Sequence, residues 1–326
     1  MTTLRFQMEQ WSLAEPFRFA GFTVTTLDIA HVSLTRHGLL GQGEGVVPIV
    51  FDVTPEETRD LLTRAQEQTE RGTPVDIVCA AMPAGPARNA LDCAIWDLRA
   101  KESGASIWEL AGLPPGPSWL KVDQTIGLDA PDKMAQAARE SGHSVLKIKA
   151  DAEAVLDRLR AVRTARPDAE LIVDANQSWS LDDLRRLTPE LAELGIAMIE
   201  QPVPRGQDVK LAGLQSPVPI FADESCHTRA DLPELLGHYQ GVNIKLDKTG
   251  GLTEALALAN AARDAGMGVM VGCMAGTSLS MAPAYVIGTL SRWSDLDGPL
   301  LLAHDRDAPM TYRDGQLSVF SPSLWG

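Results

Sequence analysis

Only four cysteines occur in 326 residues, Cys79, Cys93, Cys226 and Cys273, and no two form a CxxC pair. A disulfide framework and a cysteine zinc site are therefore not expected, and the thiols read as reduced core or pocket groups. No apolar run approaches the roughly 18 residues of a spanning helix, and the opening stretch MTTLRFQMEQWSL holds no basic segment followed by an apolar one. A cytoplasmic location without a membrane partner is expected. Positive charge is scarce: 29 basic side chains face 43 acidic ones, a net charge of −14, which repels a phosphate backbone and argues against nucleic acid as a partner. A dinucleotide fingerprint is missing too. The run Gly41-Gln42-Gly43-Glu44-Gly45 lacks GxGxxG spacing and leads into VVPIVFDV rather than a helix, so a hairpin turn is expected there.

What is present suits a two-domain globular chain, with 44% hydrophobic and 22% charged residues. Residues 1–50 read as a small antiparallel sheet. Thr54-Pro55-Glu56-Glu57 supplies a helix N-cap, a proline at the first turn and a glutamate three residues on. A second helix is expected from about Pro83 to Ser103, where Ala84, Ala87, Leu91, Ala94 and Leu98 form an apolar stripe. Leu113-Pro114-Pro115-Gly116-Pro117 cannot continue a helix and marks a domain boundary.

Beyond Pro117 short apolar runs (VDQTIG, VLKIK, LIVDAN, AMIEQP, PIFADES, GVNIKLD, GVMVGCM and a weaker one ending at SDLD) alternate with amphipathic stretches at 133–140, 153–164, 181–194, 230–236 and 253–265. Such alternation implies a parallel sheet. The residues that end successive runs, Lys149, Asp174, Glu200, Asp223 and Lys245, recur at intervals of 25, 26, 23 and 22. Eight units of that length close into a (β/α)-type barrel.

A barrel of this kind carries its active site at the C-terminal strand ends, which is where the charges lie. Lys147 and Lys149 alternate onto one face, and Asp174, Glu200 and Asp223 end three neighbouring strands. Buried charges are costly unless paired or bound to metal. Three converging carboxylates without Cys or His fit a hard divalent cation, most simply Mg²⁺. Lys149 and Lys245 then flank the cation from the second and sixth strands, a geometry for taking a proton from one face of a carbon and returning it to the other, with Lys147 and the cation stabilising an enediolate. A base lysine needs its pKa lowered, for which nearby cationic charge is expected.

KIK, VDAN, EQP, ADES, NIKLDKTGG and the PAGPARNALDCAIWDLRAK helix resemble the enolase superfamily, specifically its dipeptide epimerases, and among them the L-Ala-D/L-Glu type. The resemblance covers nearly the whole chain. It implies a (β/α)7β TIM-type barrel at 116–326, whose last segment returns toward an N-terminal α+β capping domain at 1–115. Asp174, Glu200 and Asp223 become the Mg²⁺ ligands, Lys149 and Lys245 the acid/base pair, and Lys147 a neighbour of the substrate carboxylate. Asn176 and Glu224 steer ligands or lysines. Asp295 and Asp297 of the DLD segment match the pair that binds a dipeptide's α-ammonium. The expected activity is inversion of the α-carbon of the dipeptide's C-terminal residue, and self-association of the chain is also implied, with no motif that sets its number.

One departure concerns specificity. Members acting on an acidic second residue carry a capping-segment arginine, whereas Gly21-Phe22-Thr23-Val24 offers none; Arg18 is the nearest cation, and Phe19 or Phe22 favours an apolar side chain. The alternatives are a cycloisomerase or lyase of the same superfamily, or a non-catalytic acid-binding barrel. A histidine-base dehydratase is disfavoured because the seventh strand ends Gly272-Cys273-Met274 and no histidine falls there.

Overall fold

The computed structural model describes residues 2–19, 22–48, 51 and 53–326; Gly21 of the capping segment lies outside them. Strands β1 (Thr3–Phe19), β2 (Phe22–Arg36) and β3 (Leu39–Val46) form an antiparallel sheet in that order. His37 and Gly38 turn β2 into β3 with positive φ of 52° and 80°, the backbone of a tight hairpin turn.

The GQGEG run is not that turn. It lies inside β3, paired along β2 from Gly41↔Leu34 to Gly45↔Ala30. The reason is a long-range partner. Helix α1 (Pro55–Glu70) and helix α2 (Val75–Ala81), the latter not anticipated, precede helix α3 (Pro86–Ser103), which lies across β3. A Cβ on Gly41, Gly43 or Gly45 would strike the carbonyl oxygens of Ala94, Ala90 or Pro86. Thr54 and Glu57 form the capping box of α1, with Glu57 N donating to Thr54 Oγ1 at 3.1 Å and Thr54 N to Glu57 Oε2 at 2.8 Å. Helix α3 starts at Pro86 rather than Pro83 because Gly85, at φ 144°, is not helical.

After the short helix α4 (Ile107–Leu110) and strand β4 (Trp119–Lys121) come the parallel strands β5 (Gln124–Ile126), β6 (Val145–Lys149), β7 (Glu170–Asp174), β8 (Ile196–Glu200), β9 (Ile220–Ala222), β10 (Gly241–Ile244), β11 (Gly268–Val271) and β12 (Trp293–Ser294), adjacent in chain order. They curl into the eight-stranded barrel of a capped TIM-type fold. At the seam between β5 and β12, Asp123 N donates to Ser294 O at 3.0 Å. Helices α5 (Pro131–Glu140), α6 (Val155–Ala165) and α7 (Leu181–Glu193) pack outside with their apolar faces inward.

The helix expected at 230–236 shrinks to a 3-10 turn, Arg229–Asp231, and α8 (Leu232–Leu235), because Leu236 is extended and Gly237 has φ 82°. A one-turn helix α9 (Leu246–Thr249) then follows Lys245, ahead of α10 (Leu252–Asp264) and α11 (Ser278–Gly288). Strand β13 (Tyr312–Arg313) pairs with β14 (Gln316–Ser318), which pairs with β4. The chain then returns to α3, where Trp325 Nε1 donates to Cys93 O at 3.0 Å and Gly326 N to Asp97 Oδ1 at 2.8 Å.

Strand alternation stratifies the barrel interior. Val145, Ile172, Met198, Phe221, Met270 and Trp293 form one apolar layer, and Gly241 and Gly268 leave room for the Phe221 ring. Two residues further along the same strands stand Lys147, Asp174, Glu200, Asp223 and Asp295, all buried. No helix among the described residues is long and apolar enough to cross a membrane.

Candidate active site

The charged layer opens into a cleft between barrel and cap. Lys147, 1% exposed, sits at its centre: Nζ is 2.7 Å from Asp295 Oδ2, 2.8 Å from Glu200 Oε2 and 3.1 Å from Asp174 Oδ2. Lys149 Nζ donates to Asp174 Oδ2 at 2.7 Å, and Lys245 Nζ to Asp223 Oδ2 at 2.8 Å. Asn176 N donates to Asp174 Oδ1 at 2.9 Å while Asn176 Nδ2 reaches Glu224 Oε1 at 3.4 Å. Asp297 Oδ2 accepts from Thr125 N at 2.7 Å. All ten sequence-derived residues thus meet in one constellation, and Asn176, held at φ 41°, is strained to join it.

The electrostatics show a surplus of acid. Burial, then Asp174, pushes Glu200 up to about 7 against the pull of Lys147; burial, then Asp223 and Asp174, takes Glu224 to about 8. For Asp174 and Asp223 burial also acts upward, but Lys149 and Lys147 hold the first, and Lys245 and Lys248 the second, well below the usual carboxylate range. The lowered base pKa expected for a lysine is not what this surplus gives Lys245. Burial and the Lys147 charge press it down, yet Asp223, Glu200 and Glu224 together outweigh both and hold the ammonium above its ordinary range.

Asp174, Glu200 and Asp223 fit a hard divalent cation. Glu200 Oε2, though close to Lys147, makes no hydrogen bond, and Asn243 Oδ1, on the side chain whose Nδ2 donates to Glu200 Oε1 at 2.6 Å, is likewise without a partner. Buried oxygens with unused lone pairs and excess negative charge suit oxygen coordination. A tighter trio exists, since ligand atoms of Cys273, Asp295 and Asp297 lie within 4.8 Å of one another. Burial, Asp295 and Asp297 hold that thiol well above its usual range, so it stays protonated, and a hard cation favours the all-oxygen set.

Residues 1–112 match the mandelate racemase/muconate lactonizing enzyme N-terminal domain, and residues 130–322 the enolase C-terminal domain-like family. The chain belongs to the enolase superfamily. Among the superfamily's characterised proteins it is similar to the L-Ala-D/L-Glu epimerase of Escherichia coli strain K12, 41% identical over 98% of this chain and all of the relative. It is 46% identical to the N-acetyl-D-glutamate racemase of a Pseudoalteromonas species over 75% of this chain and 78% of that one. An enolase family member from Agrobacterium tumefaciens with homology to dipeptide epimerases, solved with sodium and L-Ala-L-Glu, superposes with TM-score 0.94 over all of both chains at 41% identity. The dipeptide epimerase of Enterococcus faecalis V583, complexed with Mg and L-Leu-L-Tyr, gives 0.90 at 29% identity over 99% of this chain and 98% of that one.

The wall of this enolase-superfamily cleft is apolar. Phe17, Phe19, Val24, Leu27, Val47 and Phe51 line it from the cap. Arg18 points the other way and is exposed, because alternation along β1 turns Phe17 and Phe19 inward; among the described lining residues the cations are Lys147, Lys149 and Lys245.

Sequence reasoning missed several participants. Asn243 stands two residues before Lys245 and so shares its face, a signal that alternation carried. Gln201, at φ 33°, accepts from Asp223 N at 2.9 Å and Ser225 N at 3.1 Å. Asp123 is buried with neither carboxylate oxygen bonded. Lys248 contacts Asp223, and nothing about its place on a one-turn helix announces that role.

Proposed function

We propose that the chain is a Mg²⁺-dependent epimerase of dipeptides that inverts the α-carbon of the C-terminal residue. The observation that carries this reading is the flanking of the acid set: Lys149 ends β6 and Lys245 follows β10, while Asp174, Glu200 and Asp223 belong to the three strands between. The dipeptide epimerase activity of its relatives supports it. In this proposal residues 1–115 are the cap, 116–326 the barrel, and the cytoplasm the place of work.

Asp174, Glu200 and Asp223 hold the cation, whose charge lowers the cost of removing the proton α to a carboxylate. Lys147 adds a fixed ammonium beside the substrate carboxylate. One of Lys149 and Lys245, as the neutral amine, takes the α-proton from its face; the other, as the ammonium, delivers a proton to the opposite face of the resulting enediolate, and the two have then exchanged protonation states. Asp295 and Asp297 receive the α-ammonium, and Asn176 and Glu224 keep Asp174 and the cleft carboxylates in place. The phenyl rings of Phe17 and Phe19 favour an apolar second side chain, since a glutamate there would bury a carboxylate without a partner.

The test is incubation with Mg²⁺ and a panel of L,L-dipeptides in D₂O, with mass spectrometry. Deuterium should enter the C-terminal residue, fastest for apolar second residues. Exchange only in N-acetyl amino acids would overturn the dipeptide reading in favour of an N-acylamino-acid racemase, and preference for Ala-Glu would overturn the apolar assignment.

A further inference from the structure

Every polar atom of Asp223 is engaged, and Lys248 meets two of the four. The Asp223 amide donates to Gln201 Oε1, and Oδ2 accepts from Lys245. Lys248 Nζ donates to Oδ1 at 2.6 Å and also to the Asp223 carbonyl oxygen. Its third bond goes to Asn243 O at 2.9 Å. An ammonium has three N–H donors, and all three are used on a side chain with no exposure to solvent.

The placement follows from local structure. Helix α9 is a single turn closed by Gly250 at φ 75°, and that turn lets Lys248 reach across the C-terminal ends of β9 and β10. Burying a lysine is unfavourable unless its charge is met. Packing alone is served better by an apolar side chain, so the retained charge points to work done on its partner. The partner is doubly tied, because Asn243, gripped through its carbonyl by Lys248, is the residue whose side chain holds Glu200 Oε1.

We propose that Lys248 is a positioning residue for the cation: it turns Asp223 Oδ1 into the protein, offers only Oδ2 to the cleft, and couples Asp223 to Glu200 through Asn243, so that two of the three acids are set as one unit. This rests on the reading of Asp223 as a cation ligand. Lys248 touches neither substrate nor cation; it acts through Asp223.

The test is calorimetric titration of Mg²⁺ into the metal-free full chain, for the wild type, Lys248→Gln, Lys248→Met and Asp223→Asn, with circular dichroism and thermal melting to establish folding. Lys248→Gln keeps two donors without the charge and carries the test should Lys248→Met not fold. Both Lys248 variants should bind Mg²⁺ about 10- to 100-fold more weakly, while kcat at saturating Mg²⁺ recovers to within about threefold of wild type. A purely structural role would lower the folded fraction and leave the affinity of folded molecules alone. Wild-type affinity in folded Lys248→Gln, beside weakened binding in Asp223→Asn, overturns the inference by itself. Wild-type affinity in Asp223→Asn overturns the ligand reading and the inference with it.

Discussion

The ring of Phe19, on β1 of the cap, lies 5.7 Å from Nζ of Lys149 at the end of β6. Cap and barrel therefore meet beside Lys149, and the aromatic surface continues from Phe19 to Phe17 and Phe22, whose rings lie 5.7 and 5.6 Å away. With Lys149 as one of the proposed acid/base pair, an apolar wall from the cap beside it would couple the chemistry of one domain to the selectivity of the other.

Val24 tests that coupling, since it lines the same wall from β2 and is buried. Val24→Arg places a guanidinium where a second-residue carboxylate could pair with it. The ratio of kcat/KM for Ala-Glu over an Ala-apolar dipeptide should rise by about tenfold or more. Competition assays check this, and an unchanged ratio would locate the side-chain subsite elsewhere.

Lys149→Ala and Lys245→Ala should each lower epimerisation by about 10²–10⁴-fold, the usual worth of a positioned acid or base. Interconversion is followed by polarimetry from either epimer. Full activity in either variant would remove the two-base scheme.

Asp297 is pushed up to about 6 by burial and by Asp295, against the hydrogen bonds from Thr125. Only its ionised form attracts an α-ammonium, so KM for a dipeptide should rise as pH falls below about 6. Asp297→Asn should raise KM for the free dipeptide far more than for its N-acetyl derivative. Equal effects on both would deny Asp297 the ammonium role.

His227 gives the fold an acid sensitivity. Its Nε2 is buried without a partner, its ring stands edge-on to Phe51 at 4.9 Å, and burial, then Lys248 and Arg205, depress it to about 4. The unfolded chain takes up this proton near pH 6.5. Between those values the unfolded state binds more protons, so stability is full above about pH 6.5 and declines as pH falls toward 4. Thermal melting from pH 7.5 to 4.5 should show a shallower decline for His227→Gln than for the wild type; parallel declines would assign the sensitivity to other groups.

The strand-end residues were legible because alternation and a near-constant spacing are local regularities that survive folding. Lys149, Asp174, Glu200 and Asp223 need only the period of a strand and the length of a βα unit to be brought together. Residues whose meaning depends on distant partners were not legible. Gly41, Gly43 and Gly45 read locally as a turn, and only α3, some 45 residues on, explains them as the floor of a helix–sheet contact. Lys248 departs from the strand-end rule, and its target lies 25 residues earlier in the chain. After Glu200, Pro202, Pro204 and Gly206 leave one 3-10 turn at Asp208–Leu211 where the repeat calls for a helix. The direction of the Lys245 shift was equally hidden, because it depends on the balance of many charges rather than on any one neighbour.

The docking of Trp325 and Gly326 on α3 has a bearing on how the chain comes to be folded as it is made. Domains emerging first from the ribosome tend to fold first, yet the contact between Trp325 and Cys93 spans 232 positions. The surface of α3 that receives Trp325 stays bare until the whole barrel has followed it, so the domain synthesised before the barrel is sealed only after it.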